Sequence, residues 1–192
     1  TGSFGGLPDG ATLTLNGKPL QIKYTATTVT LTGVSNTPPV VDLNGTNDTG
    51  LDFVVAFVED AGAVNISDND ATIIDTENAS LASLTLRVSA NPDGTAESLT
   101  VAGVTLPLNA DLTSTGLVGS TTFHISYVAS SQTFTVTNHG GGSAATGDFQ
   151  TLLRGVTYNN SHDTPTTTDR TITITANDGV VDSSLAIAMI TI

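Results

Sequence analysis

The residues most able to do chemistry are acids, and they fall in short polar runs. These runs are Asp42 to Asp48, Glu59-Asp60, Asp68-Asn69-Asp70, Asp75-Thr76-Glu77, Asp163 and Asn177-Asp178. Carboxylates, Asn amides and backbone carbonyls are the hard oxygens that calcium gathers, about 6–8 at a time. If several runs met at one end of a fold, their charges would repel one another unless a cation sat among them. The plainer alternative is that each acid is solvated and holds its own loop through an Asx turn. Asp68-Asn69-Asp70 does not open an EF-hand, because the sixth position of that loop is Ile73 rather than Gly and Glu77 falls short of the twelfth.

Hydrolytic chemistry has thinner support. His124 alternates with Phe123 and Ile125 and reads as a strand surface residue, while His139 opens a Gly turn. His162-Asp163 is the one His beside an acid, and sequence neighbours seldom form a catalytic relay. There is no Gly-x-Ser-x-Gly elbow and no His-Glu-x-x-His. Paired acids for glycoside cleavage stay open as a hydrolase reading. A sugar cleft would want aromatic platforms, and the three Tyr and six Phe fall mostly on the inward register of strands.

The elements that must position these residues are strands. Leu84, Leu86 and Val88 alternate with polar neighbours, as do Phe123, Ile125 and Tyr127, Phe134 and Val136, and Ile172 and Ile174. Period two with Thr between is the pattern of a half-buried sheet, with one face inward and the Thr face wet. Thr133/135/137 and Thr171/173/175 could be taken for an ice-matching array, but Thr suits the solvent face of any twisted sheet. Asn16-Gly17, Pro92-Asp93-Gly94, Gly140-Gly141-Gly142 and Asp178-Gly179 mark turns, and Ser131-Gln132 turns the hairpin within 123–136. Only Phe149 to Val156 has helical spacing. Many short strands at such intervals predict an all-β sandwich.

Gly33 to Pro39 marks a boundary, because two adjacent prolines remove two donors and fix φ. The expected organisation is therefore 1–33 as the closing strands of a preceding β module, 34–39 as a stiff linker, and 40–192 as one sandwich domain. On this reading the chain is a piece of a longer polypeptide.

Composition excludes several classes. A formal net charge of −13 cannot neutralise phosphates, so nucleic acid is no partner. Membrane insertion is not expected, since no apolar run approaches about 20 residues. The absence of Cys excludes disulfides, thiolate zinc and Cys nucleophiles. Regular alternation argues against disorder despite the charge. The Asn-x-Ser/Thr sequons at Asn44, Asn47, Asn65, Asn78 and Asn159 read as coincidence in a Thr-rich chain.

Two stretches resemble known families. Phe4-Gly5-Gly6-Leu7-Pro8-Asp9-Gly10-Ala11, with Gln21-Ile22-Lys23-Tyr24 and Val29-Thr30-Leu31-Thr32, resembles the closing strands of modules in large bacterial surface proteins. Thr25-Ala26-Thr27-Thr28 stands where that family has a Gly-Asn-Asp turn. The second region resembles the bacterial cadherin-like (Ig-like) repeats of giant secreted adhesins. The matching pieces are Pro38 to Gly45, Phe57 to Asp60, Val64-Asn65-Ile66, Asp75-Thr76-Glu77 with Leu81, Val156 to Asn160, Asp163-Thr164-Pro165, Arg170 and Asp178-Gly179.

That resemblance implies a Greek-key sandwich, tandem, non-enzymatic, extracellular or on the cell surface, and often calcium-binding. It implies Glu59, Asp75, Glu77 and Asp178 as one calcium cluster, with Asp42, Asp60, Asp68, Asp70 and Asp163 as lesser candidates. Glu77 replaces the usual second Asp, and no linker acid follows the Asn before the prolines. The expected partners are neighbouring repeats in the same polypeptide, and beyond them a host or cell-surface protein or glycan. The alternative function is a carbohydrate- or protein-binding adhesion module, with a hydrolase behind it.

Overall fold

The computed structural model describes residues 4–15 and 18–192. Contacts divide the chain into Thr1–Thr37 and Pro38–Ile192. In the first unit β1 (Thr12–Leu15), β2 (Lys18–Tyr24) and β3 (Val29–Gly33) form one antiparallel sheet with β2 central. Tyr24 ties the leading segment to it. Its hydroxyl donates to the Leu7 carbonyl at 2.9 Å and accepts from the Phe4 amide at 3.0 Å. Thr25 turns β2 into β3, its hydroxyl oxygen accepting the Thr28 amide at 2.9 Å. A Thr hydroxyl thus does what Asn or Asp does in other turns. The Asn16-Gly17 turn lies outside the described residues.

The second unit is an all-β sandwich. Its strands run β4 (Val40–Asp42), β5 (Phe53–Ala56), β6 (Val64–Asn65), β7 (Thr72–Ile74), β8 (Ser80–Leu81) and β9 (Ser83–Val88). After a 3-10 turn at Gly94–Ala96 come β10 (Glu97–Val101), β11 (Val104–Pro107), β12 (Leu112–Val118), β13 (Thr121–Val128), β14 (Thr133–Asn138) and β15 (Ala144–Ala145). Helix α1 (Thr146–Arg154) leads to β16 (Thr157–Asn160), β17 (Arg170–Asn177) and β18 (Ala186–Thr191). A seven-stranded sheet has the order β12-β13-β14-β9-β17-β18-β5, and a four-stranded sheet the order β11-β10-β16-β6. The pairs β4-β7 and β8-β15 are small separate ladders. Within these sheets every pairing is antiparallel except β18 with β5.

The alternation read in the sequence sets which face is buried. Leu84, Leu86, Val88, Phe123, Ile125, Tyr127, Phe134, Val136, Ile172 and Ile174 are all buried in one core with Leu99, Val101 and Tyr158. Each such side chain stabilises the fold by roughly 1.5–3 kcal/mol through removal from water. The aromatics interlock: Tyr127 stacks on Phe134 at 4.3 Å, and Phe123 meets Phe149 edge-on at 4.8 Å. Helix α1 starts three residues earlier than its apolar spacing predicts. No side chain caps it. Asp148 in its first turn and Arg154 in its last match the helix dipole, while Phe149, Leu152 and Leu153 supply the buried face.

Gly116 of β12 lies directly against Ala102, between β10 and β11. A Cβ at Gly116 would overlap the Ala102 carbonyl oxygen and methyl group. Gly116→Ala is therefore expected to destabilise by about 1–3 kcal/mol through overpacking. In a chain of this size the midpoint should fall by roughly 3–10 °C. Calorimetry checks this, with Gly147→Ala as the comparison, since a Cβ there meets nothing within 4 Å and no left-handed backbone is required.

Candidate functional site

The one assembly of buried charge among the described residues of the second unit joins Arg170 and Asp93, which the sequence marked only as a piece of the resemblance and a turn, to Glu97, which it did not mark. Arg170 opens β17 on the same face as Ile172 and Ile174, and Glu97 opens β10 on the same face as Leu99 and Val101. Both are fully buried, so an ion pair links the two sheets through the core. Arg170 Nε donates to Glu97 Oε2 at 3.1 Å. Arg170 Nη2 donates to Glu97 Oε1 at 3.1 Å and to Asp93 Oδ2 at 2.8 Å. Arg170 Nη1 donates to the carbonyls of Thr166 and Thr168. The Tyr158 hydroxyl donates to Glu97 Oε2 at 2.8 Å, and the Asp93 amide donates to Glu97 Oε1 at 2.9 Å.

An arginine has five N–H donors and a carboxylate about four acceptor sites. Here all of them go to the protein. Burial of the Tyr158 phenol, then the charge and hydrogen bond of Glu97, push its pKa above the usual range. Burial alone would lift the Asp93 carboxyl and lower the Arg170 guanidinium. Hydrogen bonds to Asp93 from Thr166 and Asn160, with the Arg170 charge, override that and bring Asp93 down to about 2. The Glu97 hydrogen bond and nearby negative charge likewise hold Arg170 above its ordinary value. The signal in the sequence was parity: two charges occupy inward positions of alternating strands, so each demands an opposite charge.

The four acids expected to share one calcium ion do not all reach one pole: Asp75, Glu77 and Asp178 lie at one end of the sheet and Glu59 at the other. The Phe57 amide bonds the Thr191 carbonyl at 2.8 Å, and Ile190 pairs with Arg170, so Glu59 lies at the Arg170 end of the sheet. Asp178 follows Asn177 at the other end of β17, about 23 Å away at a strand's rise per residue. Ala82 bonds the Asn177 carbonyl at 2.8 Å, so the Asp75-Glu77 loop enters β8 at the Asp178 end. Glu59 is parted from the other three because β5 joins the sheet parallel to β18, a pairing that local pattern cannot reveal. Among the described residues no three His, Asp or Glu side chains stand together as a metal site.

Instead the acids hold turns. Asp75 Oδ1 accepts the amides of Glu77 at 3.0 Å and Asn78 at 2.9 Å. Asp178 Oδ1 accepts those of Val180 at 2.7 Å and Val181 at 2.8 Å. Glu59, Asp60 and Asp163 line a cleft of about 250 Å³ with Phe57, Asn159, Asn160 and His162. The His162 Nδ1 accepts the Thr164 amide at 3.1 Å, so this ring serves its own loop.

Two further acidic turns interlock. Asp42 Oδ1 accepts the amides of Asn44 and Gly45 at 3.2 and 3.1 Å. Asp68 Oδ1 accepts those of Asn69 and Asp70. The turns join where the Asp68 amide donates to the Leu43 carbonyl at 2.7 Å and where Thr46 donates twice to Asp70 Oδ2 at 3.1 Å. Gly45 has φ +70, and a Cβ there would overlap the Asp70 carboxylate. Asn44 Oδ1 and Asp70 Oδ1 are both buried without a hydrogen-bond partner. Hard, buried, unsatisfied oxygens in paired acidic turns are the donor chemistry that fits calcium.

The lowered Asp93 pKa fixes a pH dependence. Its unfolded value is near the ordinary 3.8 and its folded value about 2. The stabilisation is therefore fully present above pH 4 and is lost as pH falls towards 2. It amounts to roughly 2 kcal/mol. Denaturant unfolding at pH 5 and pH 2 should show that loss in the native chain and a smaller one in Asp93→Asn.

No family model, curated protein or solved structure matches the chain.

Proposed function

We propose that this chain is a non-enzymatic structural repeat module of a large bacterial extracellular or surface protein, spacing and stiffening neighbouring domains. One observation carries the reading: the second unit is entered and left at opposite poles. Pro38 and Pro39 lie in a groove with Ser184, beside the Asp178 end of β17. Strand β18 runs the other way and finishes at the Arg170 end. A chain threaded end to end through a sandwich transmits tension along its strands. The last strand is gripped on both sides, antiparallel by β17 and parallel by β5. Tension on it loads those hydrogen bonds together in shear.

The charge network supports the same role. Its donors and acceptors are fully occupied in fastening the Asp93 turn and the 161–169 crossing to the sheets, which leaves none to meet a substrate. Calcium is the staple in this proposal, held at the Asp42–Gly45 and Asp68–Asp70 turns, with Asn44 Oδ1 and Asp70 Oδ1 among its ligands. It supplies positive charge that holds two acidic turns together.

Two measurements test these claims separately. Single-molecule pulling through residues 38 and 192 should require markedly higher force than pulling through residues 131 and 192, because only the first axis loads β18 in shear. Equal forces would remove the mechanical role. Thermal unfolding in chelator and in millimolar calcium should differ by about 5–10 °C, since a hundredfold excess over Kd is worth about 2.7 kcal/mol. Asp70→Asn should abolish that difference and Glu59→Gln should keep it. Coincident midpoints in the two buffers would remove the metal and leave the spacer reading standing.

A further inference from the structure

Two of the three histidines meet on the outer face of the seven-stranded sheet. Phe123 and Ile125 point into the core, so His124 between them points outward. It sits opposite Thr137. His139 continues the line of β14 by one residue, its amide bonding the Thr122 carbonyl at 2.9 Å. It is therefore the diagonal cross-strand neighbour of His124, a spacing that long side chains bridge. The two rings lie 6.5 Å apart, centre to centre, with their planes inclined by 23°.

We propose that His124 and His139 form a two-imidazole site for a borderline divalent transition ion such as Zn²⁺, Ni²⁺ or Cu²⁺. Imidazole is a ligand these ions favour and calcium does not. With a metal–nitrogen distance of about 2.0–2.1 Å, two imidazoles on one ion hold their ring centres roughly 5–6 Å apart. The observed 6.5 Å needs a closure of only about 1 Å, which side-chain rotation supplies.

The backbone on either side is already fixed. Strand β13 is paired along both edges. The turn after His139 is tied by Asn138, whose Nδ2 donates to the carbonyls of Gly141 and Ser143 at 3.1 Å each. Its Oδ1 accepts the Gly140 amide at 3.1 Å. Little conformational entropy remains to be lost on binding beyond the two side-chain torsions. A net charge of −13 raises the local concentration of any cation. Water completes the coordination, as Thr115 and Thr122 beside the site are exposed and Thr137 is half-buried.

Titration of the 192-residue chain with Zn²⁺, Ni²⁺ and Cu²⁺ by calorimetry tests this. One saturable site per chain is expected, with at least about a tenfold loss of affinity in His124→Ala and in His139→Ala. His162→Ala should bind as the native chain does, and excess calcium should not compete. In proton spectra the imidazole signals of His124 and His139 should shift or broaden together while those of His162 stay in place. The proposal is overturned if the His124→Ala/His139→Ala double variant, shown to be folded by its unchanged melting midpoint without metal, binds as tightly as the native chain. It also fails if no saturable binding is found.

Discussion

The structure depends on an arginine and a glutamate that meet where water cannot reach them. Removing two charges from solvent is expensive, and their attraction repays it only when every remaining donor and acceptor is met. Arg170 and Glu97 satisfy that condition, and Asp93, Tyr158, Thr166 and Thr168 complete the set. A hydrophobic pair of similar volume could fill the space with no less stability. What apolar groups could not provide is direction. The guanidinium fork fixes β17 against β10 across the sandwich, and draws down two connections that apolar packing alone would leave loose. The network thereby ties the two sheets, the Asp93 turn and the 161–169 crossing together at that pole.

The same geometry governs the acids. A sandwich gathers loops at its two ends, and the end a loop reaches is decided by strand direction. Strand β17 separates the Arg170 pole from the Asp178 pole by its whole length. Carboxylates are thus shared between the poles, and Asp42, Asp68, Asp75 and Asp178 each accept backbone amides of their own turns. At −13, this dispersal limits repulsion that a single cluster would concentrate. The interlocked turns around Gly45 are the exception, since there two acidic loops touch and two buried oxygens lack partners.

Much of the architecture was legible in the residues. Alternation named the inward faces of β9, β13, β14 and β17, and the hairpin turn before Thr133 was visible in Ser131-Gln132, where Gln132 takes φ +54. Strand order was not legible. The ladder of β18 with β5 joins residues more than a hundred positions apart, and nothing near Glu59 announces which end of the sheet it will reach. The buried ion pair could have been read. Arg170 falls in phase with Ile172 and Ile174, and Glu97 with Leu99 and Val101, so the inward side chain at each position is charged. Treating acids as loop residues hid Glu97, which points into the core from a strand.

In the proposed spacer role the chain would resist tension without disulfides, since it has no Cys. Hydrophobic burial resists unfolding but has no direction, so it cannot by itself favour one pulling axis. Strand pairing has direction. With β18 held between two neighbours, separation from β17 and β5 requires both ladders to slip together, and the side chains Ala186, Ala188 and Ile190 must leave the core at the same time. The Arg170–Glu97 bridge stands where β18 ends, because Ile190 pairs with Arg170 itself. Load arriving at the last strand therefore reaches, within one residue pair, the one point among the described residues where the two sheets are joined by an ion pair.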